Sequence, residues 1–476
     1  MTEKWKKVIK CIVFIGLATA CFALAFRIFK WKDTSGDYVS SIEQLKNTPK
    51  NTIDVVFTGS SHTYCGVYPG VFWEQEGYSE FDMSISGQDK YSSYHCLKEL
   101  LKTQSPKVVF TDLYSITYGK HAVEGNQHRN MMGLPLSANS VELLTDYYDM
   151  KDEEERKQAY NYLLRWPIVH TRYRELGKYD FLKNPPNEFL RGEGIMFVTN
   201  PVEYVDVASQ VYEPSDLSEE NMKWIDDMIA LSEKENFSLV FTVIPYHASD
   251  RNLATLDSAI QYIEGKNYPV LDLNRGREVL DLDVNADFID DDHLNASGAV
   301  KLSTYYTQYL KDNYNLEDHR GDELYWQWDA DMAYCDKMGF EYVLNQTESL
   351  PAALDMLKDR PGYTTIICLE LDYPNAEYNY FEDLSILGMQ EEDYLSGGGV
   401  WVYENGALTR LSYNDLNMDA ATYPLGDYDT LAAKFQGDYQ PENLVISTED
   451  VSNLGFFLKL TVYDNYLEKV TFQKGY

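Results

Sequence analysis

Three things are scarce in this chain, and each scarcity excludes something. Cysteine is the first. Six occur among 476 residues, and none stands in a CxxC pair or in another metal-ligand spacing. Cys11 and Cys21 fall in an apolar run, while Cys65, Cys96, Cys335 and Cys368 are scattered. Four scattered cysteines do not make a disulfide framework for so long a chain. A Cys65–Cys96 bridge is one arrangement; free or buried thiols are the expected one. Positive charge is the second. The 41 Lys and Arg face 76 Asp and Glu, for a net charge of −35. Such a surface repels phosphate backbones, which excludes nucleic acid as a partner. It suits a soluble domain outside a cell. Histidine is the third. There are eight, and His319 is the last. The final third of the chain therefore holds no imidazole base and reads as a binding or structural region. Internal repeats and low-complexity segments do not stand out.

The length favours two folded domains. Before them comes the one long apolar run, the uncharged residues 11–26 (CIVFIGLATACFALAF). Lys10 and Arg27 flank it and can snorkel, so the stretch can span a bilayer. Lys4, Lys6, Lys7 and Lys10 precede it, which orients the N-terminus to the cytoplasm. Residues 1–32 carry a charge of +6, leaving −41 for the rest of the −35 total. A cleaved signal peptide is the rival reading. The run is long for one, and no clean small-x-small site follows it. The expectation is a single-pass plasma-membrane anchor over 1–32, a linker over 33–50, and the bulk of the chain outside.

Short β-branched runs then alternate with helical stretches. Residues 53–58 (IDVVFT), 80–84, 107–111 (KVVFT), 238–244 (SLVFTVI) and 268–273 (YPVLDL) predict buried strands. Residues 91–101, 219–235, 258–265 and 296–310 predict helices. This alternation implies an α/β domain over 51–316, with a parallel sheet between two helical layers. Residues 115–216 interrupt it as a mainly helical insertion, with helical stretches at 136–150 and 152–177 and a Pro-Pro-Asn turn at 185–187. From 320 to 476 the texture becomes β-rich, with helices at 326–339 and 348–358 and short β-type runs after them.

Two segments carry chemistry. The first predicted strand ends in Gly59-Ser60-Ser61-His62. A serine at a strand-to-helix turn is well placed to present its hydroxyl above a sheet edge, and glycine allows the tight backbone there. A plain capping turn built on Ser60 or Ser61 is the bland alternative. The second segment contains Asp290-Asp-Asp-His293 just before the last predicted helix. A serine nucleophile needs an imidazole to take its proton, and the imidazole needs a carboxylate to fix its tautomer. One D-x-x-H loop can supply both. A solvated acidic turn, or a metal site formed with Asp287, are the alternatives; a catalytic zinc would want more than one histidine.

With these motifs the chain resembles the SGNH/GDSL hydrolase superfamily. Gly59-x-Ser61 follows the first strand, Ser86-Gly87-Gln88 follows the second, and Asp290-x-x-His293 precedes Leu294, Asn295 and Gly298. Its membrane-anchored bacterial members, of the teichoic-acid D-alanylation and polysaccharide O-acetylation types, are the most similar. The resemblance implies Ser61 as nucleophile, with His293 and Asp290 as its acid–base pair. It implies an oxyanion hole from the N–H groups of Ser61 and Gly87, and no cofactor or metal. It further implies acyl esters of a cell-envelope glycan or teichoic acid as substrate, with a membrane-bound acyltransferase as a partner. The family's third oxyanion donor is an Asn after the third strand. Here Thr111-Asp112-Leu113-Tyr114 stands in that place, and an ionised Asp cannot donate. That departure favours acyl transfer over fast hydrolysis. It also motivates an alternative, a decayed fold that binds an acylated polymer or an acyltransferase. Three further residues are expected near substrate: His247 at the end of the fourth strand, and Trp166 and Arg172 in the insertion. His62 and His95 are read as structural.

Overall fold

The computed structural model describes residues 3–30, 38–68, 70–117, 124–181, 196–203, 206–370, 379–411, 420–436, 440–452 and 456–476. The expected Pro-Pro-Asn turn at 185–187 lies outside them. The chain divides into two compact units, Met1–Cys335 and Asp336–Tyr476, and the helix Trp326–Gln346 contains the division point.

The first unit is α/β. Its sheet has five parallel strands: β1 (Val55–Thr58), β2 (Glu80–Asp82), β3 (Val108–Asp112), β4 (Ser238–Val243) and β5 (Val270–Asp272), in the order β2-β1-β3-β4-β5. Each strand reads as a nearly continuous apolar run because both faces are covered. Val56, Val109, Leu239 and Phe241 face one core, closed by Leu97 of the helix Lys90–Leu100, Trp224 of Glu219–Glu235 and Leu253 of Asp250–Glu264. Val55, Phe57, Phe110 and Val240 face the other, closed by Phe72 and by Leu302 and Tyr306 of the helix Ala296–Asn313. Strand order reverses between β1 and β3, and such a switch point opens a crevice at the carboxyl ends of the strands. Ser61 follows one of those ends and Asp112 closes the other.

The insertion differs from its expected outline. The sequence predicts a helical stretch over 152–177. The helix Glu153–Leu164 instead stops at Arg165, whose φ of +60° is left-handed, and short turns Trp166–Val169 and His170–Arg174 follow. Pro167 cannot donate to a continuing helix, so the break falls there. Cys65 and Cys96 are both free and buried, and they form no bridge.

At the N-terminus, residues Trp5–Phe29 of the helix Glu3–Phe29 are long and apolar enough to cross a membrane. The second unit is built on antiparallel sheets. One is ordered β10 (Ala407–Arg410), β9 (Gly399–Glu404), β8 (Tyr363–Leu369), β15 (Leu458–Asp464), β16 (Lys469–Gly475). The other runs β11 (Ala420–Leu425), β12 (Asp429–Gln436), β13 (Gln440–Ile446), β14 (Glu449–Asp450). The helix Leu350–Lys358 packs Leu354 and Leu357 against the apolar side chains Ile367 and Leu460.

Candidate active site

β1 delivers the chain to a turn that only glycine fits. A Cβ on Gly59 would stand 2.0 Å from Thr63 Oγ1 and 3.0 Å from Asp112 Cβ. The short helix Ser61–Gly66 begins directly after it. Ser60 occupies the capping position, yet its side chain makes no capping bond; its carbonyl accepts from Thr63 N at 3.0 Å. The Ser61 hydroxyl is therefore not spent on a cap. It donates to His293 Nε2 at 2.8 Å.

His293 comes from a small ribbon, β6 (Phe288–Asp290) and β7 (His293–Leu294). What reads as a loop in the sequence is a tight hairpin, in which Asp290 and His293 are cross-strand partners. His293 Nδ1–H donates to Asp290 Oδ1 at 2.8 Å, and Asp292 N–H donates to the same oxygen at 2.9 Å. The hairpin is held at its base and at its tip. Asp287, fully buried, accepts from Lys301 Nζ at 2.7 Å and from Asp283 N at 2.7 Å. Burial opposes the Asp287 charge, but these bonds prevail and hold its carboxyl below the usual range. At the tip, His247 N–H donates to Asp291 O at 2.7 Å. His247 thus sits against the acidic turn, with its side chain exposed.

His62, next to the serine, is buried. Its ring stacks on Tyr114 with centroids 3.6 Å apart and meets Tyr246 and His293 edge-on at 4.8 and 5.3 Å. Burial, and then the charge of His293, hold its pKa well below the ordinary histidine value. It therefore stays neutral and forms an aromatic wall behind the His293 imidazole. His95 lies in the insertion interface, between Asn139 Oδ1 at 2.7 Å and Asp146 Oδ2 at 3.0 Å.

Gly87 has a φ of +59°. A Cβ there would lie 2.2 Å from Asn126 Nδ2. The amide of Asn126 thus fills the space a side chain would occupy. Asn130 Nδ2 also donates to Gly87 O, at 2.9 Å. Both asparagines lie on the helix Glu124–Met132 of the insertion, and neither was singled out from the sequence. The only signal for them is indirect: the missing Asn at the third block asks where another amide could come from. Asp112, which stands at that block, is buried. Its Oδ1 accepts weakly from Ile244 N at 3.5 Å and its Oδ2 has no partner. Burial pushes its carboxyl up to about 7.

Trp166 and Arg172, expected near substrate, engage the N-terminal helix instead. Trp166 packs on Phe22 and Phe29, and Arg172 Nη1 donates to Phe29 O at 2.8 Å. The break at Arg165 turns this segment toward that helix, and no described contact brings either residue to Ser61.

No family model and no curated protein matches the sequence. Among solved structures, the chain is similar to an acetyl xylan esterase (Est2A) from the rumen bacterium Butyrivibrio proteoclasticus. The match has 10% identity and a TM-score of 0.23, and it covers 56% of this chain. It spans 65% of that protein's chain, just under two thirds of its length.

Proposed function

We propose that the protein is a membrane-tethered serine esterase or O-acyltransferase of the SGNH type, acting outside the cell on acyl esters of envelope polysaccharide or teichoic acid. The observation that supports this most is the unbroken hydrogen-bond line from Asp290 through His293 to Ser61, two contacts of 2.8 Å each. It gives a weak nucleophile its base, and the base its orienting carboxylate.

In this reading Ser61 Oγ attacks the acyl carbonyl while its proton passes to His293 Nε2. Asp290 holds the opposite ring nitrogen and stabilises the imidazolium. The carbonyl oxygen, now negative, is met by the N–H groups of Ser61 and Gly87, with Asn126 Nδ2 beside Gly87 as third donor. The imidazolium then protonates the leaving alcohol, which leaves the acyl group on Ser61. His293 next takes a proton from water or from a glycan hydroxyl, that oxygen attacks the acyl carbonyl, and Ser61 Oγ leaves as the imidazolium returns the proton to it. The two acceptors need the same machinery, so the site serves hydrolysis or transfer according to which one it admits. His247 stands at the rim as a substrate contact. A membrane-bound acyltransferase is the proposed source of the acyl group in the transfer case.

The test is Ser61→Ala in the full-length, detergent-solubilised protein, assayed on an acetylated glycan and on an aryl acetate. A loss of about a thousandfold or more is expected on both. Undiminished turnover would overturn the reading, and glycan binding without turnover in the unmodified protein would replace it with that of a binding protein.

A further inference from the structure

We propose that residues 164–181 form a membrane-docking surface seated in the lipid headgroup layer beside the protein's own anchor, with a preference for anionic lipid. The proposal rests on the reading of the helix Glu3–Phe29 as membrane-crossing.

Depth is the first argument. Phe22 lies inside the uncharged run 11–26, four residues short of its outer end, which is about 6 Å at the helical rise. The Trp166 ring meets Phe22 at 5.1 Å and Phe29 at 5.6 Å. Trp166 therefore straddles the level at which the apolar run ends and Arg27 begins the polar region. A bilayer that surrounds Phe22 also reaches Trp166. Tryptophan favours that boundary, where a large apolar ring and one N–H donor are both accommodated.

Attachment is the second. Trp166–Val169, His170–Arg174 and Lys178–Phe181 all pack on the helix Glu3–Phe29. Arg172 is buried and acts as the strap. Besides its bond to Phe29 O, its Nη2 donates to Asp180 Oδ1 at 3.0 Å, and Asp180 Oδ2 accepts from Gly177 N at 2.9 Å. The segment is thereby fixed at the outer end of the anchor.

Composition is the third. Around this strap Leu164, Tyr173 and Phe181 are 67, 59 and 61% exposed. Large apolar side chains left in water beside a membrane helix gain by entering the interface. Residues 165–181 carry Arg165, Arg172, Arg174 and Lys178 against Glu175 and Asp180, a net charge of +2 in a chain of −35. Arg174 is exposed and lies over the Tyr173 ring at 5.1 Å. An aromatic and a cation paired in this way match the headgroup level, and the local sign favours anionic lipid.

The experiment uses the full chain in vesicles, on a Cys11→Ser, Cys21→Ser background. Leu164→Cys and Phe181→Cys each carry an environment-sensitive fluorophore, and the lipids carry a quencher on the upper acyl chain. Val279→Cys is the control. It is exposed, and its neighbour Leu280 packs on the opposite face of the sheet. Quenching at 164 and 181 is expected to exceed that at 279 by about threefold. It should fall by about half when Arg174→Glu and Lys178→Glu are combined, or when anionic lipid is left out. Equal quenching at all three positions, in protein that floats with the vesicles, overturns the proposal. Equal quenching at 164 in neutral and anionic vesicles overturns its lipid preference. Protein that does not float with vesicles overturns the anchor reading itself, and the docking surface with it.

Discussion

Asp112 and Asn126 show how single residues shape this site. Asp112 ends β3 with a buried carboxyl whose Oδ2 has no partner, and burial pushes that carboxyl up to about 7. The folded state holds this proton more tightly than the unfolded chain does, so stability falls as pH rises from the ordinary carboxylate range to about 7. Asp112→Asn removes the ionisation and keeps an acceptor for Ile244 N. Its unfolding free energy is expected to match the parent's near pH 4 and to exceed it at pH 8, by no more than about 4 kcal/mol at 1.4 kcal/mol per pH unit. Parity at both values in thermal scans would contradict the assignment. Asn126 is the complementary case, because its amide is placed beside Gly87. Asn126→Ala is expected to lower kcat by about ten- to a hundredfold while KM changes little, since a donor to a developing oxyanion acts on the transition state. A change confined to KM would assign it to substrate binding instead. The hydrogen-bonded set Ser61, His293 and Asp290 was legible in the sequence because a serine paired with an imidazole and a carboxylate calls for those residue types. Asn126 was not, because its relation to Gly87 exists only after the insertion folds back over the sheet.

At the scale of elements, the proposed function depends most on the hairpin β6–β7. Its strands have three and two residues, too short to show the period-two alternation by which strands are recognised. It therefore read as a loop. Its rigidity comes from Asp287, buried at the base and paired with Lys301 of the helix Ala296–Asn313. Removing one partner of a buried pair leaves the other charge uncompensated. Lys301→Met is expected to cost about 3 kcal/mol in denaturant unfolding and to reduce kcat, because Asp290 and His293 ride on the hairpin. An unchanged unfolding midpoint would show that Lys301 contributes nothing to this support. The long central strands and the helix Glu219–Glu235 were readable because apolar period and length agreed. In the second unit, β11, β12, β14 and β16 were missed. In β12 the exposed Lys434 interrupts the apolar pattern and masks the buried alternation of Leu431, Ala433 and Phe435.

For the molecule as a whole, charge and hydropathy separate along the chain. The basic, apolar first 32 residues, at +6, precede a remainder at −41, which together give the −35 total. Composition alone made this division visible. It did not reveal that Trp166 and Arg172 pack on the helix Glu3–Phe29, because that contact joins segments more than a hundred residues apart. The full chain is expected to float with vesicles and to stay with them in alkaline carbonate, through residues 11–26. Release by carbonate would show that the helix lies on the membrane or is lost from the mature protein.

The central claim concerns one oxygen atom. A fluorophosphonate that reacts with activated serines should label the native protein, and peptide mass spectrometry should place the adduct on Ser61. Labelling should disappear in His293→Ala, which keeps the serine and removes its base. An adduct on any other residue, or undiminished labelling of Ser61 in His293→Ala, would contradict a nucleophile activated along the line from Asp290 to Ser61.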